Sequence, residues 1–174
     1  GKNCFIAGMG NVGRKLSTVC RSIGLNVIKV NSKEEFSNKN YKRLQNFISK
    51  SDFVVNLLPL TQKTKKIFNK KILSKMKKKS FFINLGRGET VDEKYLIKCL
   101  KNNKIAGAGL DVFEKEPLNK SSQLFKLNNV IITPHIAGFS NDYWKKQFDL
   151  FDHNLSCFLR NRKNKMKNKV SKLF

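Results

Sequence analysis

Arginine, histidine and carboxylates occur in three short segments suited to acid–base and anion chemistry: Ile83-Asn-Leu-Gly86-Arg87-Gly88, Leu110-Asp111-Val-Phe-Glu114-Lys-Glu116-Pro117-Leu118 and Thr133-Pro134-His135-Ile-Ala-Gly138. A planar guanidinium grips a carboxylate through two parallel hydrogen bonds. An imidazole titrating near neutrality exchanges protons at physiological pH, and a neighbouring carboxylate favours its charged form. Taken singly, each residue has a plainer account. A lone histidine is most often a satisfied core side chain, Glu114 and Glu116 compete for one place beside Pro117, and Asp111 suits a cap or a turn. Arg87 is the hardest to dismiss, because it stands between two glycines in a chain that otherwise prefers lysine. His153 lies in no motif and receives no role.

A fourth segment offers backbone rather than side chains. Phe5-Ile-Ala-Gly8-Met-Gly10-Asn11-Val12-Gly13 places G-x-G-x-x-G between an apolar run and a helix-periodic one. Gly8 permits a tight turn, Gly10 lets backbone approach a pyrophosphate, and Gly13 lets helix pack close to strand. The pyrophosphate would rest on the helix N-terminus, with Asn11 and Val12 in its first turn.

These segments need a scaffold that brings them together. Strand-like runs recur at Asn3 to Ala7, Asn26 to Val30, Phe53 to Leu58, Ser80 to Leu85, Ile105 to Leu110 and Val130 to Thr133, each followed by a polar, helix-periodic stretch. That alternation predicts an α/β fold with a doubly wound parallel sheet. The runs at 53–58 and 80–85 are nearly continuously apolar, as central strands covered on both faces should be. Each chemical segment starts at the C-terminal end of a strand, the edge at which open α/β sheets bind ligands. Asp92 reads as the N-cap of a helix whose stripe is Tyr95, Leu96, Cys99 and Leu100. A last helix, about 141–160, carries Trp144, Phe148, Phe151, Leu155 and Phe158 and gives way to a basic tail. The expected division is a dinucleotide-binding domain over 1–139 and a C-terminal helix and tail over 140–174.

At the end of the second strand, dinucleotide sites that prefer NAD usually carry Asp or Glu for the ribose hydroxyls. Here stand Asn31, Ser32 and Lys33. No acid repels a 2′-phosphate, and all three side chains can donate hydrogen bonds to one, so NADPH is expected to be preferred, with NAD possible.

With Asn56-Leu-Leu-Pro59-Leu-Thr-Gln-Lys-Thr64, the ordered motifs closely resemble the cofactor domain of the D-isomer-specific 2-hydroxyacid dehydrogenases from Cys4 to about Asn154. The resemblance implies a Rossmann-type fold and a triad: Arg87 holds the substrate's carboxylate and carbonyl, His135 is the general acid/base, and Glu116 supports the histidine. It selects Glu116 over Glu114 through the Glu-Pro pair. It also implies that Leu58 and Pro59 flank the adenosine end, that Thr64 helps anchor the cofactor, and that Asp111 lies by the nicotinamide amide with Gly86 and Gly138 nearby. The related formate dehydrogenases carry Gln where Glu116 stands, which argues against formate. The motifs most resemble the glyoxylate/hydroxypyruvate reductase branch, implying a small 2-keto or 2-hydroxy acid substrate and a homodimer in the complete form.

Composition narrows the alternatives. The chain has 174 residues, 36 Lys+Arg against 12 Asp+Glu, a net charge of +24 and 40% hydrophobic residues. It has enough apolar material for a core, and no apolar run approaches the roughly 20 residues of a membrane helix. Its excess charge would suit nucleic acid, yet the lysines are scattered among 20 asparagines and 14 phenylalanines, a mixture that reads as codon bias and a solvated surface. Nucleic acid is therefore not an expected partner. Cys4, Cys20, Cys99 and Cys157 have no metal-ligand spacing, so no metal is expected, and with no secretory signal they fit the reducing cytoplasm.

Family members carry a substrate domain ahead of the glycine loop, whereas this sequence opens on the first strand. It is read as a fragment or one half of a split gene, with little turnover expected from the isolated chain. The rival reading is a non-enzymatic, dinucleotide-sensing module like the corepressors of the same fold, its basic tail adding affinity for a polyanion.

Overall fold

The computed structural model describes residues 1–30 and 41–169. Asn31, Ser32 and Lys33 lie outside the described residues. The chain divides into two compact units, Gly1–Ala137 and Gly138–Phe174.

In the first unit the strands are β1 (Asn3–Ala7), β2 (Asn26–Val30), β3 (Phe53–Asn56), β4 (Phe81–Asn84), β5 (Gly107–Leu110) and β6 (Val130–Ile132), and the helices are α1 (Asn11–Ser22), α2 (Tyr41–Lys50), α3 (Lys70–Leu73) and α4 (Glu93–Lys101). Every strand pairing is parallel, and the sheet runs β2-β1-β3-β4-β5-β6. Four strands end or start one or two residues inside their apolar runs, because residues such as Leu58, Ser80 and Ile105 are buried in the flanking loops rather than paired in the sheet. After β1 the chain builds outward to β2, then returns past β1 to β3, so the order reverses between β1 and β3. A crevice opens at such a point, beyond the carboxyl ends of the strands.

Alternation along β1 shows how sequence sorts the two layers. Phe5 and Ala7 enter the larger core with Leu44 and Ile48 of α2, Ile72 and Leu73 of α3, and Leu96 and Leu100 of α4. Cys4 and Ile6 face the other way, against Cys20 of α1. Burial and the neighbouring Cys20 thiol push Cys4 up to about 12, so it behaves as a small apolar side chain. All four cysteines are free and buried. Asp92 caps α4 by accepting from Tyr95 N–H at 3.1 Å, and the helix closes at Asn102 and Asn103, the latter with φ +48°.

The second unit holds α5 (Tyr143–Leu159) and a 3₁₀ turn at Lys163–Lys165. His153 Nε2 lies 3.1 Å from the Lys165 carbonyl, and Asn154 exchanges hydrogen bonds with the Lys167 backbone at 2.8 and 3.1 Å. The start of the basic tail is thereby folded back along its own helix. Trp144, Phe148, Phe151, Leu155 and Phe158 share one stripe of α5, and all five are exposed. Among the described residues no helix is long and apolar enough to cross a membrane.

Candidate active site

The glycine loop leaves β1 at Gly8, whose φ of +103° puts it in the left-handed region that side chains resist. Its N–H donates to the Val30 carbonyl at 3.2 Å, tying the turn to the end of β2. A Cβ at Gly13 would lie 2.0 Å from the Gly8 carbonyl oxygen, so only glycine lets α1 cross this close to β1. A Cβ at Gly10 would meet nothing within 4 Å. Gly10 is also the N-cap of α1, which has no side-chain cap and no acid in its first turn. Arg14 stands beside it, its guanidinium bound to Asn11 Oδ1 at 2.6 Å and the Met9 carbonyl at 3.2 Å, while Val12 is exposed. Open space, uncapped N–H groups and a cation together fit a pyrophosphate.

Arg87 follows β4 in extended backbone, leading into a 3₁₀ turn at Gly88–Thr90. Both neighbours must be glycine. A Cβ on Gly86 would come within 2.6 Å of the Leu58 carbonyl oxygen, and one on Gly88 within 1.8 Å of the Phe113 carbonyl oxygen. Arg87 is thus wedged between the chains leaving β3 and β5. Its Nη1 donates to the Gly86 carbonyl at 2.7 Å, leaving the rest of the exposed guanidinium for a ligand.

His135 and Glu116 meet across 19 residues of sequence, Nδ1 to Oε2, at 2.7 Å. Glu116 Oε1 also accepts from Phe113 N–H at 3.0 Å. Burial works to raise the Glu116 carboxyl, but the His135 and Phe113 hydrogen bonds and the charges of His135 and Arg87 outweigh it and hold the group below the usual carboxylate range. The rival Glu114 is engaged elsewhere, with Lys66 at 3.1 Å and the Glu93 backbone. Behind the pair, Phe113, Pro117, Leu118, Phe125, Ile132 and Pro134 line an apolar cavity of about 570 Å³.

Asp111 is buried, and its carboxylate is fully engaged. Oδ1 accepts from Thr133 Oγ1 at 2.5 Å and Ile136 N–H at 2.9 Å, and Oδ2 accepts from Ala137 N–H at 3.0 Å. Its carbonyl accepts His135 N–H at 2.9 Å. These bonds offset the cost of burial, lower its pKa, and hold the loop in which His135 takes a left-handed φ of +57°.

The other expected positions fall as follows. Leu58 has its side chain fully buried, so what it offers a ligand is backbone; Pro59 is exposed. Thr64 is buried, its hydroxyl donating to the Pro59 carbonyl at 2.6 Å, so it shapes the 59–64 loop from inside. Gly138 opens the second unit. Three residues given no role from sequence, Asn56, Asn84 and Thr90, form a buried polar cluster beneath Arg87. A signal for the amides exists: each closes an otherwise apolar strand, and the two are partners in register. Among the described residues no group of His, Cys, Asp and Glu is placed to hold a metal ion.

Residues 1–137 match the family model for the NAD-binding domain of D-isomer-specific 2-hydroxyacid dehydrogenases. The chain belongs to that family. The dehydrogenase domain is 46% identical over 146 residues to a probable 2-ketogluconate reductase of Dictyostelium discoideum, covering 78% of this chain and 42% of the relative. It is 39% identical over 165 residues to a glyoxylate reductase of Pyrococcus horikoshii, covering 92% and 49%. Among solved structures, an NADPH-dependent glyoxylate/hydroxypyruvate reductase of Sinorhizobium meliloti in complex with NADP and sulfate superposes with a TM-score of 0.82 at 31% identity, over 98% of this chain and 55% of that one. The domain spans about half the length of these relatives.

Proposed function

We propose that this dehydrogenase domain supplies the cofactor site and the reacting side chains of an oxidoreductase that reduces a small 2-keto acid, of the glyoxylate or hydroxypyruvate type, to the 2-hydroxy acid. The observation that carries this reading is the His135–Glu116 pair at 2.7 Å, close enough to Arg87 for its charge to act on Glu116. When bound, the dinucleotide supplies the hydride. Gly8, Gly10, Asn11, Val12 and Gly13 cradle its pyrophosphate, and the backbone at Leu58, Pro59 and Gly86 borders it.

Arg87 grips the substrate's carboxylate and polarises its carbonyl. Glu116 occupies Nδ1 of His135, which leaves Nε2 to give its proton to the carbonyl oxygen as negative charge develops there. Asp111 holds the loop that aims the ring. With glyoxylate or hydroxypyruvate as substrate, loss of NADPH absorbance follows the reaction. In the complete, two-domain form His135→Asn is expected to lower turnover by two orders of magnitude or more and leave the dinucleotide Kd nearly unchanged, since general acid catalysis contributes roughly 10²–10⁴-fold. Near-normal turnover in that variant would sink the assignment.

NADPH is the preferred cofactor in this reading, supported by the absence of an acid at Asn31, Ser32 and Lys33 and by the NADP complex of the Sinorhizobium relative. A charge-assisted hydrogen bond from Lys33 to the 2′-phosphate, at about 1.5–3 kcal/mol, gives roughly ten- to a hundred-fold discrimination. Asn31→Asp should erode it, and tighter wild-type binding of NADH than of NADPH refutes it. The reading extends to a homodimeric complete protein in the cytoplasm, where free thiols such as these persist.

A further inference from the structure

We infer that Asn56, Asn84 and Thr90 are positioning residues for Arg87, a buried hydrogen-bond relay that sets where the arginine stands. The inference rests on the proposed role of Arg87 as the group that holds the substrate's carboxylate. All three side chains are at most 1% exposed. Apolar residues of similar size would fill such a site without needing partners, whereas an unpartnered amide there is costly, so the polar choice demands a reason.

Every polar atom of the cluster is committed. Asn56 Nδ2 donates to Asn84 Oδ1 at 2.8 Å and to Thr90 Oγ1 at 2.7 Å, and Asn56 Oδ1 accepts from Leu58 N–H at 3.1 Å. Asn84 Oδ1 also accepts from Gly86 N–H at 3.2 Å. The Arg87 carbonyl receives Thr90 Oγ1–H at 2.5 Å, Thr90 N–H at 3.2 Å and the Asn84 amide at 3.5 Å. The backbone on both sides of the Arg87 Cα is therefore pinned. The guanidinium is pinned through it, because Nη1 donates to the carbonyl of the Gly86 that Asn84 holds. Asn56 in turn fixes the start of the loop leaving β3, so one amide ties the Arg87 loop to the neighbouring loop at Leu58. None of the three groups titrates, so the arrangement is the same whichever protonation state His135 adopts. Fully satisfied buried networks of this kind rigidify their surroundings and specify one geometry.

The test uses the domain within a complete protein that also carries the substrate domain, and two ligands: NADPH, followed by its fluorescence, and oxamate, a 2-oxo carboxylate analogue that is not reduced, titrated into the NADPH complex. Thr90→Val keeps the shape and removes the hydroxyl. Oxamate should bind about tenfold more weakly, NADPH within about twofold of wild type, and Thr90→Ser should restore oxamate binding. Unchanged oxamate affinity in Thr90→Val, equal weakening of both ligands, or no recovery with serine overturns the positioning role alone. Failure of the wild-type complex to bind oxamate overturns both it and the carboxylate role of Arg87. Should the valine variant not fold, Asn84→Asp carries the test. Its neutral carboxyl can still accept from Gly86 and donate to Arg87, but its ionised form cannot donate. Oxamate affinity relative to wild type should then fall as pH rises, and a flat ratio overturns the proposal.

Discussion

Glu116 does two things that can be separated by pH. Its carboxyl is held below the usual range by His135, Phe113 N–H and Arg87, and Asp111 is likewise lowered by the loop it binds. A carboxyl whose pKa is depressed on folding contributes stability that is fully present above its unfolded value and is lost as pH falls through the folded one. Acidification below the ordinary carboxylate range should therefore lower the melting temperature of wild type more than that of Glu116→Gln, which has no such group to protonate. Parallel Tm–pH curves would show that Glu116 is merely solvated. In turnover, Glu116→Gln should cost less than His135→Asn and move the pH profile, because the ring keeps a hydrogen-bond partner at Nδ1 but the depressed carboxyl of Glu116 is gone.

At the scale of elements, the β1–α1 junction makes two distinct demands on glycine, and alanine separates them. Gly13→Ala drives a methyl to within 2.0 Å of the Gly8 carbonyl. That is overpacking against backbone, expected to cost about 3 kcal/mol of stability as measured by denaturant unfolding. Gly10→Ala meets no neighbour within 4 Å, so the fold should keep its stability to within about 1 kcal/mol. The same methyl enters the space assigned to the pyrophosphate and should weaken NADPH about tenfold or more. If Gly10→Ala bound NADPH as wild type does, the phosphate would have to sit elsewhere.

For the molecule as a whole, the net charge of +24 raises the question of polyanion binding, and the tail from Arg160 to Lys169 is its densest stretch in the second unit. Clustered cations bind duplex DNA non-specifically at about 10⁻⁴–10⁻⁶ M in physiological salt. Fluorescence anisotropy with a labelled duplex at two salt concentrations should place wild type in that range, with little change on deletion from Arg160 onward. Binding tighter than about 1 μM that disappears on deletion would favour the dinucleotide-sensing module over the enzyme.

Local stereochemistry was legible in the amino-acid sequence. Gly8 needs its positive φ, Gly13 its missing Cβ and Asp92 its capping oxygen because of atoms within a few residues, and the period of two in β1 sorts its side chains between layers through pleat geometry alone. The choice of long-range partners belonged to the tertiary structure. The family resemblance picks Glu116 by its Glu-Pro pair, but the physical reason appears only in the fold, where Glu114 is drawn to Lys66 and Glu93 and Glu116 meets His135. Asn56 likewise finds Asn84 and Thr90 across 28 and 34 residues only once β3 and β4 are in register. The carboxylate of Asp111 is turned inward by Thr133, Ile136 and Ala137, a use that no spacing announces. The stripe of α5 has helical spacing whether or not anything covers it, and its exposure could be read only from the fold. Periodicity follows from bonds along the chain, whereas burial and partnership follow from which segments come to lie side by side.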